Sequence, residues 1–596
     1  MGVPKYFAWL LQNYKKTGFV FNKDKLVKEE HKEILNEVNS MDYFLIDANC
    51  LIHPVCFKVI AENPGEIDMD KLENKMIVAV LEYLDKLIAY VSPKKGVYIA
   101  IDGVAPVAKI KQQRMRRFKS VADKIMWDNI KKKHNRPTHN TWNNNAITPG
   151  TKFMVKLNEK IIQWAGNHSF MGKIIYSSCF TPAEGEHKLL QFIRTNTINN
   201  IDMSYVIYGL DADLIFLALS TNSDRIYLLR EANEINKKES YEILNYVSIK
   251  IMRTCIHNSI IKALHREDMD MVNMDMIKLG GFETNQTNIV NDFIFMCYFL
   301  GNDFLPHIPC LDIAHNGIET LIEKYADTIH SLLIKNNKII YLLNNINLDI
   351  NININMDFLS MFINKLALSE HTILNNNYNA KKRYMKCDSG DQYDIEVFKI
   401  DNLQFKINDP IMLGSDTMEE YRKRYYNYYW GVEGDELEQF SKKLVDNYML
   451  GIRWVTLYYF DKCPSWTWFY PFDYPPFITD INMYLDKVNM TLPFKLEKPI
   501  QPFMQLLCVL PPQSSYLIPK SIRKLMLNMH SQLAYAYPME FKQDFINKNK
   551  YWMGIPTLPP LDLELVKHSF HKYKDELNSE EKNRNGNKDV YIFEKK

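Results

Sequence analysis

In the first half of this chain, apolar strand-like runs alternate with long amphipathic stretches, and most of the runs are followed within about three residues by an acid. The runs fall at residues 43–46, 97–101, 174–176, 205–208 and 225–229, with helical patterns such as 70–89 and 150–166 between them. That alternation predicts an α/β domain with a mainly parallel sheet flanked by helices. Such sheets bind ligands beyond the carboxyl ends of their strands, and Asp47, Asp102 and Asp211 fall at those ends.

Seven acids in five short blocks carry the chemistry: Asp47 in FLIDAN, Asp102 in YIAIDG, Glu184 and Glu186 in TPAEGEH, Asp211 and Asp213 in IYGLDADL, and Asp303 in FLGNDF. Carboxylates gathered at the ends of buried strands need a counter-ion. A pair of divalent metals is the economical one, and phosphodiester hydrolysis the economical chemistry. Each block also has a plainer reading. Asp211 and Asp213 share a side if they lie on a strand, yet suit a helix start equally well. Asp303 suits a cap. Thr181, Pro182 and Glu184 form a capping-box pattern that would spend Glu184 on a backbone N–H. Helical spacing sets Glu184 and Glu186 about 200° apart, unless the backbone is non-helical where Gly185 begins.

Net charge over the 596 residues is only +2, so overall charge makes no case for nucleic acid; its distribution does. Residues 103–136 hold eleven Lys and Arg against Asp123 and Asp128, a plausible phosphate footprint. Within them Lys109, Gln113, Arg116 and Arg117 are spaced i, i+4, i+7, i+8, one helical face beside the Asp102 strand end. Ile110, Phe118, Val121 and Ile125 are left to pack inward. The alternative is a solvated basic face. His53, six residues after Asp47, and Trp466 and Trp468 in SWTWFYP are candidates for base stacking. The plainer role of most aromatic residues here is core.

The 46 % hydrophobic and 24 % charged composition is that of a globular chain, and no run of about 18 apolar residues predicts a membrane span. The nine cysteines form no C-x-x-C pair, which fits reduced thiols. The start MGVPKYFAWL lacks a secretory signal, and Tyr6 stands where a myristoylation motif wants Ser or Thr. Residues 336–355 are an Asn/Ile-rich tract given no function. The expected organisation is a nuclease domain over 1–368, a linker over 369–417, and a second, aromatic-rich, mostly helical region over 418–596. The tail beyond Asn578 reads as frayed apart from 590–593.

Taken in order, MGVPKYFAWL, LIDANCLIH, IDGVAPVAKIKQQRMRRF, ITPGTKFM, TPAEGEHK, YGLDADLI and GNDFLPHIP closely resemble the Xrn family of 5′→3′ exoribonucleases. WVTLYYFDKCPSWTWFYPFDYPPF, PFMQLLCVLP and EEKNRN extend the resemblance over nearly the whole chain. It implies a PIN/flap-nuclease-like domain whose active site is closed by the second region. It implies that Asp47, Asp102, Glu184, Glu186, Asp211, Asp213 and Asp303 hold two Mg²⁺, with Mn²⁺ a substitute. It implies that Lys109, Gln113, Arg116 and Arg117 hold a 5′-phosphate, that His53 stacks on the first base, and that Trp466 or Trp468 stacks on another. Three positions depart from the family pattern: Cys50 after Asn49, Ala183 before Glu184 where glycine is usual, and Val107 after DGVAP. Cys255, His257 and His265 lack the spacing of the nuclear branch's zinc knuckle, which favours the cytoplasmic branch in a minimal two-region form.

The expected activity is processive removal of mononucleotides from single-stranded, 5′-monophosphorylated RNA in mRNA decay. The expected setting is cytoplasmic, off the membrane, as a monomer, with a decapping enzyme as functional partner. The alternatives are a structure-specific flap-type DNA endonuclease and a non-catalytic RNA-binding protein.

Overall fold

The computed structural model describes residues 5–26, 32–138, 142–199, 202–209, 211–232, 243–265, 278–279, 282–344, 352–380 and 385–594. The first four residues of the N-terminal block, Leu210 of GLDADL and residues 345–351 of the Asn/Ile tract lie outside them.

Seven strands, β1 (Val20–Phe21), β2 (Tyr43–Asp47), β3 (Gly96–Ala100), β4 (Lys173–Ser177), β5 (Tyr205–Tyr208), β6 (Ile226–Glu231) and β7 (Leu244–Ser248), join a C-terminal strand, Tyr591–Glu594. They form one eight-stranded sheet in the order β1-β7-β6-β5-β2-β3-β4 and then the C-terminal strand. The five central strands, β6 to β4, pair in parallel, and the outer three pair antiparallel. The parallel part has apolar side chains on both faces, as a helix-covered sheet must. Phe44, Ile46, Val97 and Ile99 enter one core, and Leu45, Tyr98, Ile207 and Leu228 the other. The chain leaves β2 toward β3 and β4, then crosses to β5 on the other side of β2. This puts the switch point between β2 and β5, the crevice where such sheets bind ligands.

Helix Met69–Val91 starts at Asp68, whose carboxylate accepts from Lys71 N, and buries Leu72, Met76, Val80, Leu84 and Leu87 along one stripe. Helix Lys152–Asn167 is capped in the same way by Thr151. The basic helix, Val107–Lys133, begins where Pro106 follows the β3 turn. Its inner side, Val107, Ile110 and Phe118, packs on Phe503, Leu506 and Leu507 of helix Pro502–Val509. Ile125, expected inside, is 47 % exposed.

The second region shares its core with the first. One cluster runs from Tyr6 and Leu10 through Ile215 and Phe299 to Trp454, Tyr458 and Tyr470. Position 369, read as the start of a linker, lies inside helix Met356–Asn379, and helix Gln392–Asp401 occupies the stretch that follows. The segment lacks long apolar runs because its second helix buries no side chain fully. The tail is ordered: Asn578 caps helix Ser579–Arg584 in a capping box, and Tyr591–Glu594 pairs with β4. Residues 343–344 and 353–354 of the Asn/Ile tract pair as a two-stranded ribbon. Among the described residues no helix is long and apolar enough to cross a membrane.

Candidate active site

A cleft of ≈ 420 Å³ opens at the switch point, lined by carboxylates and cations. Asp47, Asp102, Glu184, Glu186, Asp211 and Asp303 line it, together with His53, Lys109, Gln113, Arg116 and Arg117. Asp213 lies just behind the wall, buried, its carboxylate within 4.8 Å of those of Glu186 and Asp211.

Asp47 is the last residue of β2, and Asp102 lies two residues past β3. Asp102 is held firmly: Asn49 Nδ2 donates to its Oδ2 at 2.7 Å, and Gly185 N to its Oδ1 at 2.7 Å. A Cβ on Gly185 would stand 2.6 Å from Asp47 Oδ1, so only glycine lets this turn approach the acid. Glu184 is the residue before helix Gly185–Ile198, in extended conformation (φ −71°, ψ 151°), and its side chain makes no cap. The capping-box reading of TPAE therefore fails, and the extended backbone turns Glu184 toward the same cleft as Glu186. Asp211 and Asp213 do not share a strand, since β5 ends at Tyr208. Asp213 opens helix Asp213–Ser220, and Asp211 stands exposed before it.

The electrostatics are those of a crowded anionic site. Burial, then Asp102 and Asp211, raises the Asp47 carboxyl well above its ordinary range. Burial, then Asp213, does the same to Glu186. Asp213 is pushed up to about 7 by burial, Asp303 and Asp211. Asp47 Oδ1, Glu186 Oε2 and Asp213 Oδ1 are buried and have no hydrogen-bond partner among the described residues. Oxygen-only donor groups with open lone pairs fit a hard divalent cation. Two three-donor groups, Glu186/Asp211/Asp213 and Asp47/Cys50/Asp211, meet at Asp211.

Lys109 was expected on an open phosphate-binding face. Instead its ammonium lies between Glu184 Oε1 (2.5 Å) and Asp303 Oδ2 (2.6 Å). Burial opposes its charge, but Asp303 and Glu184 win and raise its pKa well above the ordinary value. Lys109 in turn offsets burial at Asp303, whose carboxyl is held below its ordinary range. The acids therefore do have a local cationic partner. A second one, Lys188, donates from below to Ile101 O (2.6 Å) and Ser178 O (3.0 Å), and burial lowers it to about 7.

Several cations of the basic run tie it to the rest of the chain. Lys111 pairs with Asp473, Arg114 donates to the carbonyls of Cys508 and Ala536, Lys119 donates to Gln543 Oε1 and Tyr551 O, and Lys133 pairs with Glu396. Arg136 pairs with Asp391. Arg116 and Arg117 are left at the cleft. Arg116 is exposed, whereas Arg117 is buried with Nη1 unpartnered among the described residues, and burial with Arg116 lowers its pKa to about 9. Gln113 accepts from Gln505 Nε2 at 3.3 Å, so the second region supplies part of this wall.

His53 lines the cleft, with Phe57 beside it at 6.4 Å and 26° between rings. Burial and the two arginines lower His53 to about 4, so it is a neutral ring. Phe57, half exposed, was not anticipated, although its i, i+4 spacing from His53 carried the signal. Trp466 and Trp468 do not line the cleft. Trp468 stacks on Trp454 (5.5 Å), Trp454 on Tyr458 (4.8 Å), and Tyr458 on His187 (4.1 Å). Tyr458 donates to Glu184 Oε2 at 3.0 Å. This aromatic column braces an acid. Trp466 meets the basic helix through its carbonyl, which accepts from Val107 N.

The family model described as the XRN 5′-3′ exonuclease N-terminus matches residues 1–232, and that described as the Xrn1 helical domain matches 283–403 and 392–596. The chain is 28 % identical to 5′-3′ exoribonuclease 2 of Candida albicans, over 100 % of this chain and 74 % of the relative. It is 29 % identical to 5′-3′ exoribonuclease 1 of Homo sapiens, over 98 % of this chain and 35 % of the relative. It is 26 % identical to the 5′-3′ exoribonuclease 2 homolog of Drosophila melanogaster, over 100 % and 73 %. Every block of this cleft falls within the matched segments, and the chain belongs to the XRN family of 5′-3′ exonucleases.

Proposed function

We propose that this chain is a processive 5′→3′ exoribonuclease that removes mononucleotides from single-stranded RNA bearing a 5′-monophosphate. The observation that carries this reading is one cleft lined by six acids, with Asp213 grouped behind them, and by Gln113, Arg116 and Arg117. In it Asp47, Asp102, Glu184, Glu186, Asp211, Asp213 and Asp303 hold Mg²⁺, with Mn²⁺ as substitute. Bound there, divalent cations supply an activated water and charge stabilisation for the departing 3′-oxygen.

The chain's own groups do the rest. Arg116 and Arg117 grip the terminal phosphate through charge-assisted hydrogen bonds, and Gln113 adds an amide donor. Arg117 arrives already stripped of water, so its bonds to an anion cost little further desolvation. The neutral His53 ring, with Phe57 beside it, stacks on bases without reading them. Lys109 holds Glu184 and Asp303 in place and favours the ionised form of Asp303, while burial raises the Glu184 carboxyl above its ordinary value. The role is RNA decay in the cytoplasm, as a monomer, downstream of a decapping enzyme that leaves 5′-monophosphate ends.

The test is a time course on 3′-labelled RNA carrying a 5′-phosphate or a 5′-hydroxyl, with Mg²⁺ or with EDTA. Expected are Mg²⁺-dependent loss of the phosphorylated RNA and no loss with EDTA or with Asp211→Ala/Asp213→Ala. Arg116→Ala is expected to slow decay of the phosphorylated RNA far more than that of the hydroxyl form. Equal slowing of both would remove Arg116 from the phosphate site, and activity in EDTA would remove the metals.

A further inference from the structure

Cys50 introduces sulfur into an otherwise all-oxygen site. It lies in the first turn of helix Asn49–Glu62 and lines the cleft, with Sγ donating to Asp47 Oδ2 at 3.2 Å. Sγ, an Asp47 oxygen and an Asp211 oxygen lie within 4.8 Å of one another. Independently of the cysteine, Asp47 is 5 % exposed, faces the same cleft, and keeps Oδ1 without a hydrogen-bond partner among the described residues.

We propose that Asp47, Cys50 and Asp211 form a site for a thiophilic divalent cation, Zn²⁺ or Cd²⁺, whose binding arrests the enzyme. The proposal rests on the reading of the acid cluster as a metal site. A thiolate and two carboxylates supply three protein donors and leave a fourth position open, a set that suits Zn²⁺. Mg²⁺ gains nothing from sulfur and prefers the all-oxygen group Glu186/Asp211/Asp213. Because Asp211 belongs to both groups, a thiophilic ion held on Cys50 withdraws a carboxylate from the hard ion beside it. On binding, the S–H bond breaks, its proton goes to solvent, and the sulfur lone pair forms the bond to the ion; nothing is oxidised.

The experiment titrates the metal-free full chain with Cd²⁺ and reads the thiolate-to-Cd²⁺ charge-transfer band in the ultraviolet. Cys387 is the other half-exposed thiol and the control, since the remaining seven are buried. Expected is a saturating band in the native chain and in Cys387→Ser, lost in both Cys50→Ser and Cys50→Gly. In Mg²⁺, half-inhibition of RNA decay by Zn²⁺, measured against each variant's own uninhibited rate, is expected to need about tenfold more Zn²⁺ in the Cys50 variants. A band of equal size in native chain and Cys50 variants, or none in the native chain, overturns the proposal. If the band depends on Cys50 but no RNA decay occurs in Mg²⁺, the proposed activity fails and this site stands. If decay occurs and the band is absent, the reverse holds.

Discussion

Ala183 adopts φ 97°, a left-handed backbone that an L side chain resists, and two hydrogen bonds hold it there. Its N–H donates to Val104 O, and its carbonyl accepts from Gly103 N, both at 2.9 Å. Strain at such a residue costs about 1–3 kcal/mol, while glycine would enlarge the unfolded ensemble by about 0.4–1 kcal/mol. Ala183→Gly is therefore expected to raise the thermal midpoint, and a lowered midpoint would show that the turn is unstrained. Lys109 is the second residue whose local setting predicts an outcome. Lys109→Met leaves Glu184 and Asp303 buried without their cation, at about 3–5 kcal/mol in metal-free protein. Mg²⁺ is expected to restore more stability to the variant than to the native chain. Equal midpoint shifts in the two would mean that bound cations do not relieve these carboxylates.

At the scale of elements, buried carboxylates join helices that are distant in sequence. Glu370, inside helix Met356–Asn379, accepts from Ile478 N (2.9 Å) and Thr479 N (2.8 Å), the first two residues of helix Ile478–Tyr484. Burial outweighs these bonds and raises its carboxyl to about 7. A folded value above the unfolded one means that the folded chain holds the proton more tightly. This stabilisation is complete below the unfolded value of about 4.3 and is lost as pH rises through 7. Stability is thus expected to fall over that window. Glu370→Gln, which does not titrate, is expected to make the fall shallower in denaturant titrations at stepped pH. An unchanged slope would assign it to other groups, among them Asp292, which burial also raises to about 7.

At the scale of the molecule, the two regions are one structure joined through a common core, and Tyr591–Glu594 forms one edge of the sheet. Tyr591–Glu594 covers β4, register Tyr591↔Tyr176 to Glu594↔Lys173. Without it the buried, apolar β4 becomes the edge, and its unpaired backbone groups would recruit other strands. Deleting residues 590–596 is expected to lower the thermal midpoint and raise light scattering at equal concentration. A monodisperse, equally stable deletion would show the strand to be dispensable.

The sequence by itself determined the parallel sheet, because short apolar runs alternating with helical periodicity are a local pattern, and it located the five acid blocks at strand and helix ends. β5 was read residue for residue at 205–208, and β2 to β4 and β6 to within a residue or two. His53 and Arg116, both singled out from the sequence, line the cleft. Tertiary structure decided what spacing cannot encode. Helical periodicity puts Lys109 on a face with Arg116, but only the fold brings Glu184 and Asp303 from other segments to claim its charge. A basic run reads as a nucleic-acid footprint until Asp473, Glu396 and Asp391 arrive to pair with Lys111, Lys133 and Arg136. SWTWFYP reads equally as a stacking platform or as core, and packing settled Trp468 against Trp454 because the column braces Glu184 through Tyr458. Local pattern fixes which way a side chain faces along its own element; which charges meet depends on contacts made hundreds of residues apart.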